Sequence, residues 1–338
     1  MFETYFTAKF IIATGAILCI VLSRRSDGKT FDCKVRALND YSEKRHITVY
    51  MRRWKTEITE LMYSTFFDDV ICKPKYKEFA LWEFRGSKKG VKVKLPNEKE
   101  FDWIILFCPL SMSSKLKSQI DVFINRIFII DYDEFIPLDG RYIKDEAKLL
   151  LEFWKSIDRD RDIVQLVVLG NKITPFNPLF DFFGIEAQIT NEKMRLFRNG
   201  TIALQVYSNE EHKNAVAKSR FGKMISGTEY DDYDAGGLLY ALNLKVGNIK
   251  GAEYYCSFKT QKGEGTIYIK DSNFIISKSK RKDGFLLTDR SYNVDRTSFM
   301  VTYGMFTRIF KEAYRSNRIL FEDEKTYHLF EDIMKKIC

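Results

Sequence analysis

A chain of 338 residues, 45% hydrophobic and 15% aromatic, has apolar material for two cored domains and is excluded from the disordered class. Its formal net charge of +9 favours contact with a polyanion, solvated surface charge being the alternative source. Six scattered cysteines without a C-x-x-C pair, and only three histidines, argue against a disulfide framework, a zinc site or a His-based metal centre. Reduced thiols of a cytoplasmic protein fit this usage better.

In chain order, Phe10 to Leu22 is apolar but too short to span a bilayer. Thr14-Gly15 interrupts it, and Glu3 precedes it in place of a basic cluster. It reads as a buried central strand, so no membrane contact is expected. Next comes Ser23-Arg24-Arg25-Ser26-Asp27-Gly28-Lys29-Thr30, then Phe31 to Tyr41, which can be helical. Strand, Gly-Lys-Thr loop and helix together cradle a triphosphate. Backbone N–H groups and the helix N-terminus face the anion, Lys29 reaches the outer phosphates, and the Thr30 hydroxyl meets Mg²⁺. One residue departs from G-x-x-x-x-G-K-[ST]: Ser23 stands where the first Gly belongs.

Ile47 to Met51 reads as a second strand, ending in Arg52-Arg53-Trp54-Lys55, and Thr56 to Val70 as helical. Lys73 to Lys94 is Lys-rich and irregular, with a hairpin turn over Arg85 to Gly90. It is either a DNA contact or a basic surface hairpin. Trp103 to Cys108 is a strand, followed by Pro109 and a Ser-rich loop, Ser111 to Ser118. Lys115 and Lys117 in that loop either touch DNA phosphates, as a ring-forming motor requires, or are simply solvated. Arg126 to Ile130 is a buried strand running into Asp131-Tyr132-Asp133-Glu134. A helix is expected over Lys144 to Ile157, and a further strand over Ile163 to Leu169, ending at Gly170-Asn171. The alternation predicts an α/β fold with a mostly parallel sheet covered on both faces.

Composition changes after residue 208, which places a first domain at 1–208, a linker at 209–244 and a smaller α/β domain at 245–338. Strands are expected there over Glu253 to Lys259, Thr266 to Asp271 and Phe274 to Ser279. Helical segments are expected over Ser298 to Arg315 and Glu324 to Ile337.

Ligands of an open parallel sheet bind outside the carboxyl ends of its strands. There Asp133 can hold Mg²⁺ and Glu134 can orient and polarise an attacking water, with Asp131 competing for the metal from the same strand face. Asn171 can hydrogen-bond the water or γ-phosphate, or simply end the strand as a turn residue. Asp158-Arg159-Asp160-Arg161-Asp162 is either a self-paired exposed loop or the source of an arginine finger.

These residues carry a resemblance. The chain resembles the DNA-packaging ATPases of small tailed phages of the phi29 type, relatives of large terminase subunits. Ser-Arg-Arg-x-x-Gly-Lys-Thr is similar to the terminase phosphate loop, and Val49 to Lys55 to the strand ending in Arg-Arg-aromatic-Lys. Pro109-Leu110-Ser111 with Lys117, Asp133-Glu134-Phe135-Ile136, Leu169-Gly170-Asn171 and Asn177-Pro178 follow in order. Arg220-Phe221-Gly222 and Gly227-Thr228-Glu229-Tyr230 are the most specific runs.

The resemblance implies a P-loop additional-strand (ASCE) ATPase domain, a helical linker and an RNase H-like C-terminal domain. It implies ATP and Mg²⁺ as cofactors, double-stranded DNA as substrate, and a homomeric ring, a pentamer, on the portal of a procapsid in the host cytoplasm. It favours Asp133 over Asp131, matches Arg159 to a trans-acting finger, and places Lys55 and Arg53 near the nucleotide and the subunit interface. A helicase-like DNA-dependent ATPase and a non-catalytic P-loop binding or assembly protein remain the alternatives. Tyr254 to Lys259 carries no central acid, so no nuclease is expected unless Asp271, Asp283 and Asp289 cluster.

Overall fold

In the computed structural model the described residues are 6–137, 141–171, 177–185, 194–207, 214, 217–228, 247–260, 262–281, 284–288, 298–300, 304–316, 318–323, 326–327, 329–330 and 333–334. The chain divides into two units, 1–238 and 239–338. The division falls inside the segment expected as a linker, most of which lies outside the described residues.

The first unit is built on a nine-stranded sheet in the order β3-β4-β5-β2-β6-β7-β1-β9-β8. Its strands are β1 Leu18–Ser23, β2 Ile47–Arg52, β3 Glu83–Ser87, β4 Gly90–Lys94, β5 Asp102–Pro109, β6 Ile127–Asp133, β7 Gln165–Asn171, β8 Met194–Phe197 and β9 Ile202–Val206. From β5 across to β9 every neighbouring pair is parallel, and antiparallel hairpin strands finish both edges. Every residue of β1 is buried, as a strand covered on both faces requires.

One face of this sheet is covered by α2, Lys29–Lys44. Its Cys33, Ala37, Leu38 and Tyr41 fall at helical spacing and join Val21, Tyr50 and Leu169 in one core. The other face is covered by α6, Glu146–Asp158, and α7, Pro178–Phe183. Their Leu150, Phe153, Ile157, Leu179 and Phe180 pack with Ile20, Val49 and Ile130 in a second core. The register aligns the carboxyl ends of the central strands. Ser23 is level with Asn171, and Asp133 with Leu169.

Four local expectations differ from the structure. The apolar run from Phe10 is not one strand: α1, Lys9–Ile12, precedes a turn at Thr14-Gly15, and only Leu18–Ser23 is extended. The Thr56 to Val70 segment is broken into a 3-10 turn, Lys55–Glu57, then α3, Glu60–Ser64, and α4, Asp68–Ile71. The break falls at Thr65 to Phe67, where Phe66 and Phe67 are both buried between the two short helices. The Ser-rich loop is mostly helix: α5, Ser113–Ile120, sets Leu116 and Ile120 four residues apart against the core. In the second unit, Ser298–Met300 is a strand, and the helix begins only at Gly304.

The second unit has a six-stranded sheet in the order β14-β13-β10-β11-β12-β15. Its strands are β10 Glu253–Thr260, β11 Gly263–Lys270, β12 Asn273–Ser277, β13 Leu286–Thr288, β14 Ser298–Met300 and β15 Ile319–Phe321. An antiparallel meander, β10 to β12, is flanked on both sides by parallel neighbours. Phe258, Ile276, Phe310 and Phe330 lie in its core. Of the remaining C-terminal segment from Glu324, only scattered residues are described. Among the described residues, no helix is long and apolar enough to cross a membrane, and Cys19, Cys33, Cys72, Cys108 and Cys256 are free thiols.

Candidate nucleotide phosphate site

β1 ends at the fully buried Ser23, and the chain turns through 24–28 into α2. The Asp27 carboxylate accepts the Arg24 backbone N–H at 2.9 Å, and its carbonyl accepts that of Phe6 at 2.9 Å. Gly28, at φ 94°, is the left-handed residue from which the helix starts, a conformation that suits glycine alone without strain. The first N–H groups of α2 have no partner within the helix and are aligned with its positive end.

Lys29 folds back under this loop. Its Nζ donates to Ser23 Oγ at 2.8 Å, to the Arg24 carbonyl at 2.7 Å and to Asn171 Oδ1 at 3.0 Å. The departure from glycine at position 23 therefore has a use: a glycine would offer the ammonium no hydroxyl. Burial pulls the Lys29 ammonium down to about 8, and the nearby carboxylates of Asp133, Asp27 and Glu134 oppose that fall. Arg25 and Ser26 are exposed at the loop tip, and Arg24 is half-buried.

Thr30, one residue on, donates its hydroxyl to Asp133 Oδ2 at 2.7 Å. The same oxygen accepts the Tyr50 hydroxyl at 2.6 Å and has Arg52 Nη2 at 3.3 Å, while Oδ1 accepts the Glu134 N–H at 2.9 Å. A hydroxyl beside a single carboxylate fits Mg²⁺, which keeps most of its coordination for water and phosphate oxygens. Among the described residues no group of three or more His, Cys, Asp or Glu could hold a metal ion by itself.

Asp131 is engaged elsewhere. It is fully buried and bonded to Arg36 Nη2 at 2.7 Å, and Arg36 Nε reaches Asp32 at 2.8 Å. Asp131 thus fastens α2 to β6 one pleat below the phosphate loop.

Glu134 leaves β6 in a left-handed conformation, φ 57°, with its carboxylate half-exposed and paired to Arg52 Nη1 at 2.6 Å. The turn is pinned from beneath. The Phe135 N–H donates to the Leu169 carbonyl at 3.1 Å, and the Phe135 ring lies over Gly170 so closely that a Cβ there would stand 2.5 Å from it.

Arg53, expected near the nucleotide and the subunit interface, completes the clamp beneath this turn. It is 2% exposed and forms a two-pronged pair with Glu146, Nε to Oε2 at 2.8 Å and Nη2 to Oε1 at 2.9 Å. It also donates to the Glu134 carbonyl at 3.2 Å and the Phe135 carbonyl at 2.5 Å. Removing one member of such a pair leaves a buried charge uncompensated, so Arg53→Ala should cost about 3–5 kcal/mol of stability. A denaturant melt checks this, and an unchanged midpoint would contradict the assignment.

A profile of the family described as Podovirus DNA encapsidation protein (Gp16) matches residues 3–334. The chain belongs to the podovirus Gp16 family. It is 26% identical over 230 residues to the DNA packaging proteins of Bacillus phages PZA and phi29, covering 68% of this chain. The match spans 64% of those relatives' length. Among solved structures, a chain of the bacteriophage Phi-29 viral genome packaging motor assembly superposes with a TM-score of 0.71 at 19% identity, covering 99% of this chain and 100% of that one. The N-terminal domain of the DNA packaging ATPase from phi29 gives 0.51 at 23% identity, covering 60% and 96%. At these identities the likeness is one of fold.

In this Gp16-family chain, Ser23, Lys29, Thr30, Asp133 and Asn171 converge at one sheet edge, with Glu134 beside them. Four expected residues do not join them. Lys55 lines a separate cavity of about 780 Å³ with Lys88, Lys89, Trp103 and Phe107. Lys115 is exposed and Lys117 half-buried, both on α5. Arg159 follows α6 ahead of β7, at the opposite end of that strand from Asn171, and pairs with Asp121 at 2.5 Å. Asp158 meanwhile accepts the N–H groups of Asp162, Ile163 and Val164, bonds that shape the loop between α6 and β7.

Two residues of the site were missed in the sequence, Tyr50 and Arg52. Strand alternation was the available signal, since it sets both on one face of β2, the same face that carries Asp131 and Asp133 on β6. Of the specific Gly227-Thr228-Glu229-Tyr230 run, the last two residues lie outside the described ones.

Proposed function

We propose that this chain is an ATP-hydrolysing motor subunit that drives double-stranded DNA into a viral procapsid. The observation that carries the reading is the joining of Lys29 to Asn171 and of Thr30 to Asp133 across three strand ends. Family membership supplies the biological setting.

In this reading the loop N–H groups and Lys29 bind the β- and γ-phosphates, and Lys29 exchanges Ser23 and the Arg24 carbonyl for phosphate oxygens. Thr30 and Asp133 hold Mg²⁺, which when bound neutralises charge on the phosphate oxygens. Glu134, close to the exposed surface, accepts the proton of the attacking water. Asn171 sits against the Lys29 ammonium, where it can register the loss of the γ-phosphate. Arg159, half-exposed and remote from its own chain's phosphate loop, acts on a neighbouring copy in a homomeric ring, a pentamer docked on the portal. Lys115 and Lys117 touch the DNA backbone independently of sequence. The second unit is not a nuclease in this proposal. Asp283 and Asp289 lie outside the described residues, and Mn²⁺-dependent plasmid cleavage by the purified protein would overturn that part.

The test is ATP turnover by the purified protein with and without double-stranded DNA. Stimulation by DNA that fades with added salt is expected, and absence of turnover under both conditions refutes the motor reading. Mixing Arg159→Ala with Glu134→Gln subunits should restore part of the turnover that each lacks alone. No recovery counts against a finger acting between copies.

A further inference from the structure

We infer that Tyr50 is a positioning residue, one that holds the carboxylate of Asp133 in the orientation Thr30 needs. The inference rests on the proposed ATP site and adds to it a residue on the neighbouring strand.

Tyr50 is fully buried in β2, and its ring is fixed by edge-on contacts to Phe66 and Phe107, at centroid distances of 5.3 and 6.1 Å. The ring cannot turn away, so the hydroxyl has one place to point. It donates to Asp133 Oδ2 at 2.6 Å and accepts Arg52 Nε at 3.1 Å.

Asp133 is the last residue of its strand, and two different interactions compete for its carboxylate. Thr30 donates to Oδ2 at 2.7 Å, the arrangement in which the threonine oxygen can turn a lone pair toward a cation while its own proton stays directed at the carboxylate. Arg52 Nη2 stands 3.3 Å from the same oxygen. A full ion pair with that guanidinium would draw the carboxylate away from Thr30. Tyr50 opposes this twice: it secures Oδ2 directly, and it occupies Arg52 Nε. The remaining Arg52 Nη1 then serves Glu134 at 2.6 Å. Tyr50 touches neither nucleotide nor water in this account and acts only through Asp133 and Arg52.

Tyr50→Phe removes one oxygen and keeps the ring. Three measurements on the full chain separate positioning from packing: thermal melting, binding of a fluorescent ATP analogue in chelator, and the Mg²⁺ concentration giving half-maximal ATP turnover. The expected result is near-native melting, unchanged binding in chelator, and a rise of roughly tenfold in the Mg²⁺ requirement, the scale of one hydrogen bond to a charged group. A lowered melting temperature with an unchanged or smaller Mg²⁺ requirement would assign Tyr50 to packing and overturn the inference. Native melting with an unchanged requirement overturns it equally. If wild-type protein binds no ATP analogue, the underlying site reading fails with it, an outcome distinct from an active wild type whose Tyr50→Phe variant behaves identically.

Discussion

Lys29→Ala should reduce ATP affinity by roughly 100-fold or more and turnover to background, the scale set by losing charge-assisted hydrogen bonds to phosphate. Lys29 is 8% exposed, and its partners are Ser23 Oγ, a carbonyl and Asn171. None of these carries a full negative charge, which is why burial dominates and pulls the ammonium down to about 8 from 10.5. Two consequences follow from the sign of that shift.

The folded chain disfavours the charged lysine relative to the unfolded chain, so Lys29→Ala should melt no lower than wild type at neutral pH. The alanine variant thus separates loss of binding from loss of fold.

Binding itself should depend on pH. Phosphate favours the charged ammonium, so above about pH 8 the protein must take up a proton as nucleotide binds, and affinity should fall as pH rises further. Titration calorimetry in buffers of different ionisation enthalpy checks the proton uptake. A flat affinity from about pH 7 to 10 would show that Lys29 does not meet phosphate.

Glu134→Gln should leave nucleotide binding within a few-fold of wild type and cut turnover by about 100- to 10,000-fold, the usual worth of a positioned general base. The side chain is half-exposed and its backbone conformation is held by Arg53, Phe135 and Gly170, so the fold should tolerate glutamine. Nucleotide trapping followed by single-turnover kinetics distinguishes the two parts. Retained turnover would move the catalytic base elsewhere. Asp133→Asn should behave differently, raising the Mg²⁺ requirement, because its carboxylate is what Thr30 addresses.

How much of this was legible follows from particular residues. Gly28-Lys29-Thr30 between an apolar strand and a helix announces a phosphate loop, because cradling an anion needs only contiguous residues. The acidic pair after Ile127–Ile130 reads as a strand end for the same reason. The choice between Asp131 and Asp133 was open locally, since both occupy one strand face. Arg36, about two turns along α2, pairs with Asp131 and leaves Asp133 as the carboxylate beside Thr30. By composition the Ser-rich segment reads as a loop. Helix α5 forms because Leu116 and Ile120 find a core to enter, and single-residue propensities carry no record of that core.

Arg52 and Arg53 show the boundary most sharply. The amino-acid sequence alone pointed to the phosphate loop, the central strands β1, β2, β5, β6 and β7 with helices α2 and α6, and the acidic residues at a strand end, all encoded by local pattern and period. Only the tertiary structure decided that β2 lies directly beside β6. That pairing turns Tyr50 and Arg52 toward Asp133 and Glu134 and drives Arg53 down onto Glu146 on the other face. The physical reason is that strand alternation separates adjacent arginines onto opposite faces, while their partners come from 81 to 93 residues away along the chain.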